Sequence, residues 1–535
     1  YVQADGLQTI GYDHGDYNVV TNYVKGNNSY TVFAGANYSH VDGTETWNNE
    51  NYQFPQSLFD RESYSKNSYQ NHQEYMQFRY QNQKGKRYWV GKFTLVNLST
   101  PRNASSGFAR ESTETDIFSN IRKKSLSPKI DLNANLPLSK NQTLTLGVHG
   151  KYSANSYHRL YQEQPFETMT DEDEKALSFQ LSAIYNYFSQ KHSLSMELFH
   201  YHDVWNADYS GNCELWQHLW KGESLAFFSY NFQASRRLSL KTRIGLDWLQ
   251  YHLHGDNSFS QLSPRINTNV QYQLNKGMLL WSFNFVNSNH GMDVINRAMI
   301  QVNSHMMEKG MPELKKSHDI NTYLYYMGRF NRLSVSAIGQ FRYNHHPVTD
   351  DYYLDEANGK IVKTYSNGGN AQYYSAILAL QYKLCKFANL SGDIRYNHAE
   401  VKTTWSKHNN NLTGNLGLNM FMGDFALKPY LHFGKKSLDE AALVISKTPI
   451  DYGMSCSYSR GNLYVELQAV SPFKKQEKQY WLDLPIYSYS KSIKDQTASQ
   501  YASIKVAYSF DFGRKTQKVE KDVNKNINSS LLRVE

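Results

Sequence analysis

Two adjacent histidines, His345 and His346, stand immediately before Pro347. Imidazole nitrogens bind zinc, copper, nickel or iron, so such a pair raises the question of a metal site. Neighbouring side chains on an extended chain point to opposite faces, and the two rings are not expected to share one ion. A few residues later, Asp350-Asp351-Tyr352-Tyr353-Leu354-Asp355-Glu356 mixes carboxylates with aromatic rings. A cation or ligand site is conceivable there. The spacing does not fit an EF-hand calcium loop, and the run reads as a solvated loop. Trp47, Tyr52, Phe54, Trp216 and Trp220 fall in long polar stretches. Their rings could stack on a sugar or peptide, or serve as rim residues; they are the candidate ligand contacts.

Enzyme motifs are absent from the sequence. Neither G-x-S-x-G nor H-E-x-x-H occurs. Serine and histidine are plentiful but in no fixed spacing, so no catalytic residue is assigned and the chain is read as a non-enzyme. Cys213, Cys385 and Cys456 are far apart, odd in number and outside any metal-ligand spacing. They are expected to be free thiols, and no metal or cofactor is assigned. The net charge of +9 is spread along the chain without a basic block, which argues against a nucleic-acid partner.

The elements that must position these residues are seen best at the end of the chain. From Tyr501 to Phe512, Ile504, Val506, Tyr508, Phe510 and Phe512 occupy alternate positions, and Ser503, Lys505, Ala507, Ser509 and Asp511 occupy the others. Strand side chains alternate faces, so one face is apolar and the other polar. Ten to twelve residues is roughly what crosses a bilayer as a tilted strand. The pattern recurs. Leu333, Val335, Ala337, Gly339, Phe341 and Tyr343 oppose Ser334, Ser336, Gln340, Arg342 and Asn344; Leu238, Leu240, Ile244, Leu246 and Trp248 oppose Ser239, Lys241, Arg243, Gly245 and Asp247. A charged row of that density cannot face a packed core, because each unpaired buried charge costs several kcal/mol. It must face water while the apolar row faces something apolar.

This predicts lipid-facing Ile504, Val506, Tyr508, Phe510, Leu333, Val335, Phe341, Leu240, Ile244 and Leu246. It predicts lumen-facing Lys505, Asp511, Arg342, Gln340, Lys241, Arg243 and Asp247. About ten short turns, among them Gly26-Asn27-Asn28, Lys84-Gly85-Lys86 and Gly423-Asp424, alternate with about ten long connections such as 41–70, 99–120 and 155–175. Short turns on one side and long loops on the other are a mark of transmembrane barrels. The expected fold is therefore all-β: a transmembrane antiparallel up-and-down barrel of about 22 strands over residues 1–512. A polar periplasmic tail is expected over 513–535. Because 16–25 runs toward a short turn, an outward strand should precede it. Only Tyr1–Ala4 is available as its end, so the first strand is expected to be truncated and the chain, which begins without Met or a leader, to be an excised piece.

Short segments carry a resemblance. Phe510-Asp511-Phe512-Gly513-Arg514-Lys515-Thr516, followed by Asn526-Ile527-Asn528-Ser529-Ser530, resembles the end of the outer-membrane β-barrel family of TonB-dependent receptors from Bacteroidetes. Asp16-Tyr17-Asn18 through Tyr23-Val24-Lys25-Gly26 to Tyr38-Ser39-His40 is similar to that family's first complete hairpin. The resemblance implies a signal peptide, often a small β-sandwich, a plug, and a barrel of about twenty-two strands. It implies residence in the Gram-negative outer membrane, contact with its lipid, and coupling to a TonB complex through an N-terminal plug region that this sequence lacks; a surface lipoprotein is a further possible partner. The leading expectation is a transport barrel whose long loops capture a ligand that passes when the plug is displaced. Two alternatives stay open: a plugless pore or channel component of an envelope complex, and an adhesion barrel acting through loops 41–70, 289–317 and 472–498.

Overall fold

In the computed structural model every element among the described residues is a β-strand. The described residues are all but 55, 56, 257, 289, 290, 292, 496–498, 511, 513–522, 528, 534 and 535. Twenty-two strands pair antiparallel with their sequence neighbours and close into one barrel. Closure is made by Val2–Ile10 and Tyr501–Phe510, in register from Val2 opposite Phe510 to Ile10 opposite Ala502.

The first strand is therefore not a stump. Nine residues pair along their whole length with the last strand, and the same strand pairs with Asp13–Lys25 on its other edge. The expectation of a truncated first strand fails for a local reason. Gly11 and Tyr12 turn the chain in two residues on the side where long loops were expected, with Gly11 at a φ of 112° that suits glycine.

The turns on the other side follow their residue types. Gly26, at a φ of 61°, opens the two-residue connection from Asp13–Lys25 to Asn28–Phe54. Glycine carries that conformation at no steric cost, and Gly85, Gly423 and Gly461 adopt it at three further short turns.

The long polar connections 41–70, 99–120 and 155–175 are built of paired strands rather than loops. Asn28–Phe54 and Ser57–Lys84 are strands of 27 and 28 residues, paired throughout apart from a bulge near Gly43. Arg87–Arg110 with Glu114–Ser139, and Gln142–Glu163 with Phe166–Phe188, likewise run well past the length needed to cross a bilayer. The ladder simply continues. What lapses in 41–70 is the apolar alternation, because the buried face carries Glu50, Arg61 and Ser63 beside Tyr52, polar groups in place of an apolar row, with Arg61 and Tyr52 hydrogen-bonded to Glu50.

Elsewhere on that side the chain builds smaller sheets. Lys435–Asp439, Val444–Thr448, Glu477–Asp483 and Tyr487–Lys494 form an antiparallel run whose last strand zips onto Glu45–Tyr52. A separate four-stranded sheet is ordered Met299–Gln301, Met306–Lys309, Lys360–Ser366, Thr349–Asp355, with a parallel pairing in its middle. The acidic-aromatic run is thus a strand rather than a solvated loop. Tyr352 is only 6% exposed, and the apolar groups that shield it come from distant parts of the chain.

Apolar side chains cover the outside of the barrel. Ile504, Val506, Tyr508 and Phe510 are each between 39% and 45% exposed, while Ser503 and Ser509 on the opposite face are buried. Ile244 and Leu246 are about half exposed and Asp247 between them and Trp248 is fully buried. The interior is not purely polar. Val20, Phe33, Tyr75 and Val96 point inward from four successive strands. Packed against them are Val523 and Ile527, from the segment expected to lie outside the barrel. The described residues of that tail, 523–527 and 529–533, follow the lumen instead, as shown by the wall groups that hold them.

Candidate functional site

The lumen opens into a chamber of ≈ 680 Å³ between the barrel wall, the four-stranded sheet and the Tyr487–Lys494 strand. Tyr352 and Tyr365 reach it from the small sheet, Tyr487 and Tyr489 from the zipped strand. Charges of both signs line it: Glu50, Asp293 and Glu308 with Lys363, Lys491 and Arg533. Ile527, Ser529, Leu531 and Leu532 complete one side.

One cation holds the rim together. Arg61, 4% exposed, points from Ser57–Lys84 to carboxylates on two other strands. Its Nη1 donates to Glu50 Oε2 at 2.7 Å, and its Nη2 donates to Glu163 Oε1 at 2.8 Å and to the Tyr161 hydroxyl at 3.2 Å. Glu50 in turn accepts from the Tyr487 hydroxyl at 2.7 Å and the Tyr52 hydroxyl at 3.1 Å. Glu163 accepts from Ser304, which fastens the loop between Met299–Gln301 and Met306–Lys309. Burial would raise the Glu163 carboxyl; the Arg61 charge and the bonds from Arg61, Tyr161 and Ser304 outweigh it and leave it lowered. A guanidinium suits this junction because its planar fork reaches two carboxylates at once.

A second charged knot lies in the small sheet. Lys363 Nζ sits 3.3 Å from Glu308 and 3.4 Å from Asp350. Burial pushes the Asp350 carboxyl up to about 6, only partly offset by the Lys363 charge. Burial would lower Lys363, but its two carboxylate neighbours hold it raised. Lys491 faces the chamber with its pKa lowered, chiefly by burial, against the pull of Glu50.

The residues singled out from sequence are scattered. Among the aromatics, Tyr52 is fully buried behind the chamber wall, stacked on Phe59 at 5.0 Å and against Tyr487, and Phe54 packs on the same cluster. Trp47 lies on the exposed side of its hairpin over Tyr64 at 4.4 Å. Trp216 is 52% exposed beside His218, and Trp220 donates to His202 at 3.1 Å. None of these five lines the chamber.

Among the residues expected in the lumen, Asp247 accepts from Arg265 at 2.9 Å and pairs with Lys316 at 3.0 Å. Arg243 bonds Glu197 at 2.6 Å and covers the Phe227 ring. Arg342 bonds Asp319 at 2.7 Å, and Gln340 donates to Asn321. Lys241 is exposed near a short turn, Lys505 is opposite Glu466, and Asp511 lies outside the described residues. Leu240, Leu333, Val335 and Phe341 are half-buried, with Phe341 against Tyr374 at 5.0 Å.

His345 and His346 differ from expectation in geometry. Their ring centroids are 3.9 Å apart, because His346 adopts a φ of 60° and swings its ring back onto its neighbour. His346 Nδ1 is engaged by the Asn367 carbonyl at 2.9 Å, and the described residues contain no group of three or more metal-ligating side chains that could hold an ion.

Arg61, Glu163 and Lys363 are not marked by sequence because they sit in stretches without apolar alternation, whereas Tyr487 opens a short alternation, with Tyr489 and Ile493 against Ser488, Ser490 and Ser492, inside a segment expected to be a loop. The available signal was the period of two itself: Glu50, Tyr52 and Phe54 share one face of a strand, as do Arg61, Ser63 and Ser65.

No protein-family model matches the chain, and no curated protein sequence matches it. Solved structures do. A structure described as the copper transporter OprC superposes with a TM-score of 0.67 at 10% identity, covering 95% of this chain and 80% of that one. The ferric-catecholate import receptor Fiu from K12 E. coli gives 0.61 at 10% identity, over 95% and 81%. The FrpB iron transporter from Neisseria meningitidis gives 0.60 at 8% identity, again over 95% and 81%. At such identities the likeness is one of fold.

Proposed function

We propose that this chain is the outer-membrane barrel of a receptor-type transporter, similar to the TonB-dependent receptors, and that it captures its ligand in the tyrosine-lined chamber. The observation that carries this reading is the chamber itself, a walled space of ≈ 680 Å³ at the mouth of a closed lumen. That size suits a small organic ligand or chelate. Four phenols with charges of both signs offer donors, acceptors and ring faces on one concave surface. The apolar outer belt fits a bilayer: a continuous patch of that extent is not left in water, and lipid would cover it. Lipid contact by Ile504, Val506, Tyr508, Phe510, Leu240, Ile244, Leu246, Leu333, Val335 and Phe341 belongs to this reading, as does the lumen-facing set. The fold neighbours named as transporters and receptors favour transport over hydrolysis. Coupling to a TonB complex through a plug region, a lipoprotein partner and a Bacteroidetes origin rest on the sequence resemblance.

The test is binding to the full chain in detergent, read by intrinsic fluorescence. The probes are a ferric catecholate, copper(II), an oligosaccharide and a short peptide. One class should bind saturably, and Tyr487→Ala with Tyr489→Ala should weaken it by about tenfold or more while the barrel stays folded. If no class binds and the chain forms a wide, permanently open pore in planar bilayers, the reading falls and the pore alternative replaces it.

A further inference from the structure

Residues 529–533 lie in the lumen as a docked strand of chain would. The Ser530 amide and hydroxyl both donate to Glu174 Oε2, the amide at 2.6 Å. Asn296 Nδ2 donates to the Ser530 carbonyl at 3.1 Å and to the Tyr209 hydroxyl at 2.6 Å. That hydroxyl also accepts from the Leu532 amide at 3.1 Å. Leu531 and Leu532, each 2% exposed, fill an apolar seat made by Ile121, Tyr157, Ala207 and Ile300. Farther along the lumen, Lys129 Nζ donates to the Asn524 and Asn526 carbonyls.

These are the contacts of peptide recognition: backbone groups are read by fixed polar side chains, and two apolar residues are read by a pocket. One wall group remains unused. Glu172 is 1% exposed, and neither carboxylate oxygen has a hydrogen-bond partner among the described residues. It feels the charge of Arg533 without bonding it, and the Arg533 Nε is also unpartnered. Burial pushes this carboxyl up to about 8, against the Arg533 charge, and a basic residue following the two apolar ones is the complement that this end of the surface offers.

We propose that the wall formed by Glu172, Glu174, Tyr209 and Asn296 is a binding site for an extended peptide with a small hydroxyl residue, two apolar residues and a basic residue in succession. Residues 529–533 occupy it as a tethered internal ligand. The site stands whether or not the chamber captures a transported ligand, since Glu172 and Glu174, Tyr209 and Asn296 come from two barrel strands and the connection before Met299–Gln301, and none of them lines the chamber. A flexible tether presents its own segment at an effective concentration on the order of millimolar, so an outside peptide must outcompete it or arrive when it is displaced.

The probe is a fluorescein-labelled, end-blocked Ser-Ser-Leu-Leu-Arg peptide, titrated into the full chain in detergent and read by anisotropy. Leu531→Asp with Leu532→Asp makes the apolar seat unfavourable to the tether without touching the wall. That variant should bind the peptide saturably, at least tenfold more tightly than the unaltered chain, and adding Glu174→Gln should weaken it by about tenfold. A folded Leu531→Asp, Leu532→Asp variant that does not bind, or that binds no better than the unaltered chain, overturns the proposal. A second measurement does not rely on that variant. Cys213 packs on the same apolar seat, so Leu532→Cys should be joined to it by a short bis-maleimide, and saturating peptide should suppress the joining. Joining that is absent, or indifferent to the peptide, also overturns the proposal.

Discussion

Arg61 shows how much a single side chain can decide. It neutralises Glu50 and Glu163 where water is excluded, and through them it fastens Tyr487 and the Ser304 loop. Replacing it with methionine keeps most of the volume but strands two carboxylates, which should cost about 3–5 kcal/mol. The loss should be local: hydrogen exchange at the tips of the 28–54/57–84 and 142–163/166–188 hairpins should accelerate while amides in the barrel stay protected. Unchanged exchange at the tips would show the junction to be incidental.

Asp350 makes a pH prediction with a definite sign. Its folded-state pKa, about 6, lies above the ordinary aspartate value. Between about pH 4 and 6 the folded sheet therefore holds more protons than the unfolded chain, and stability falls as pH rises through that window. Above about 6 the full penalty is present, with Glu308 and Asp439 adding to it and Lys363 opposing it. Hydrogen exchange in Lys360–Ser366, corrected for intrinsic rates, should show easier opening at pH 7 than at pH 5. Asp350→Asn should flatten the difference; a profile indifferent to that change would refute the assignment.

At the scale of elements, the hairpins that rise beyond the barrel are held by close backbone approach. A side chain at Gly107 would overlap the Tyr64 carbonyl of the neighbouring strand. Gly107→Val should therefore pry Arg87–Arg110 from Ser57–Lys84 near their outer ends, at about 1–3 kcal/mol. Exchange should rise over 62–68 and 104–110. A variant whose exchange rises across the whole barrel would mean that the extensions and the barrel unfold as one unit.

These extensions also mark where the sequence was hard to read. In 41–70 and 99–120 the residues are polar on both faces, so the apolar period of two that betrays a strand is missing, although the ladder is not. The short strands of the rim were missed for another reason. Met306–Lys309 is four residues long and pairs in parallel with a strand that begins more than fifty positions later. No local pattern announces a partner at that separation.

For the molecule as a whole, the lumen is the feature with the widest consequences. Residues 523–527 and 529–533 lie along it, seated on Val20, Phe33, Tyr75 and Val96 at one level and on Ile121, Tyr157 and Tyr209 at another. We expect the unaltered chain in planar bilayers to pass little current and the Leu531→Asp, Leu532→Asp variant to pass several-fold more at the same voltage. Equal conductance would mean that the segment does not limit the lumen.

Read alone, the sequence determined the barrel: its all-β class, its strand number near twenty-two and the division of each crossing strand into an apolar and a polar face. Those follow from a period of two repeated across the chain, and from glycine and asparagine at turns that need them. Tertiary structure alone decided the rest. It made Val2–Ile10 a full closing strand, because its partner lies some five hundred residues away. It turned polar loops into paired hairpins, brought Glu50, Arg61, Glu163 and Tyr487 to one junction, and laid 523–527 and 529–533 inside the lumen. Each of these depends on contacts between residues distant in sequence, and alternation reports only which face a residue is on, not what stands opposite it.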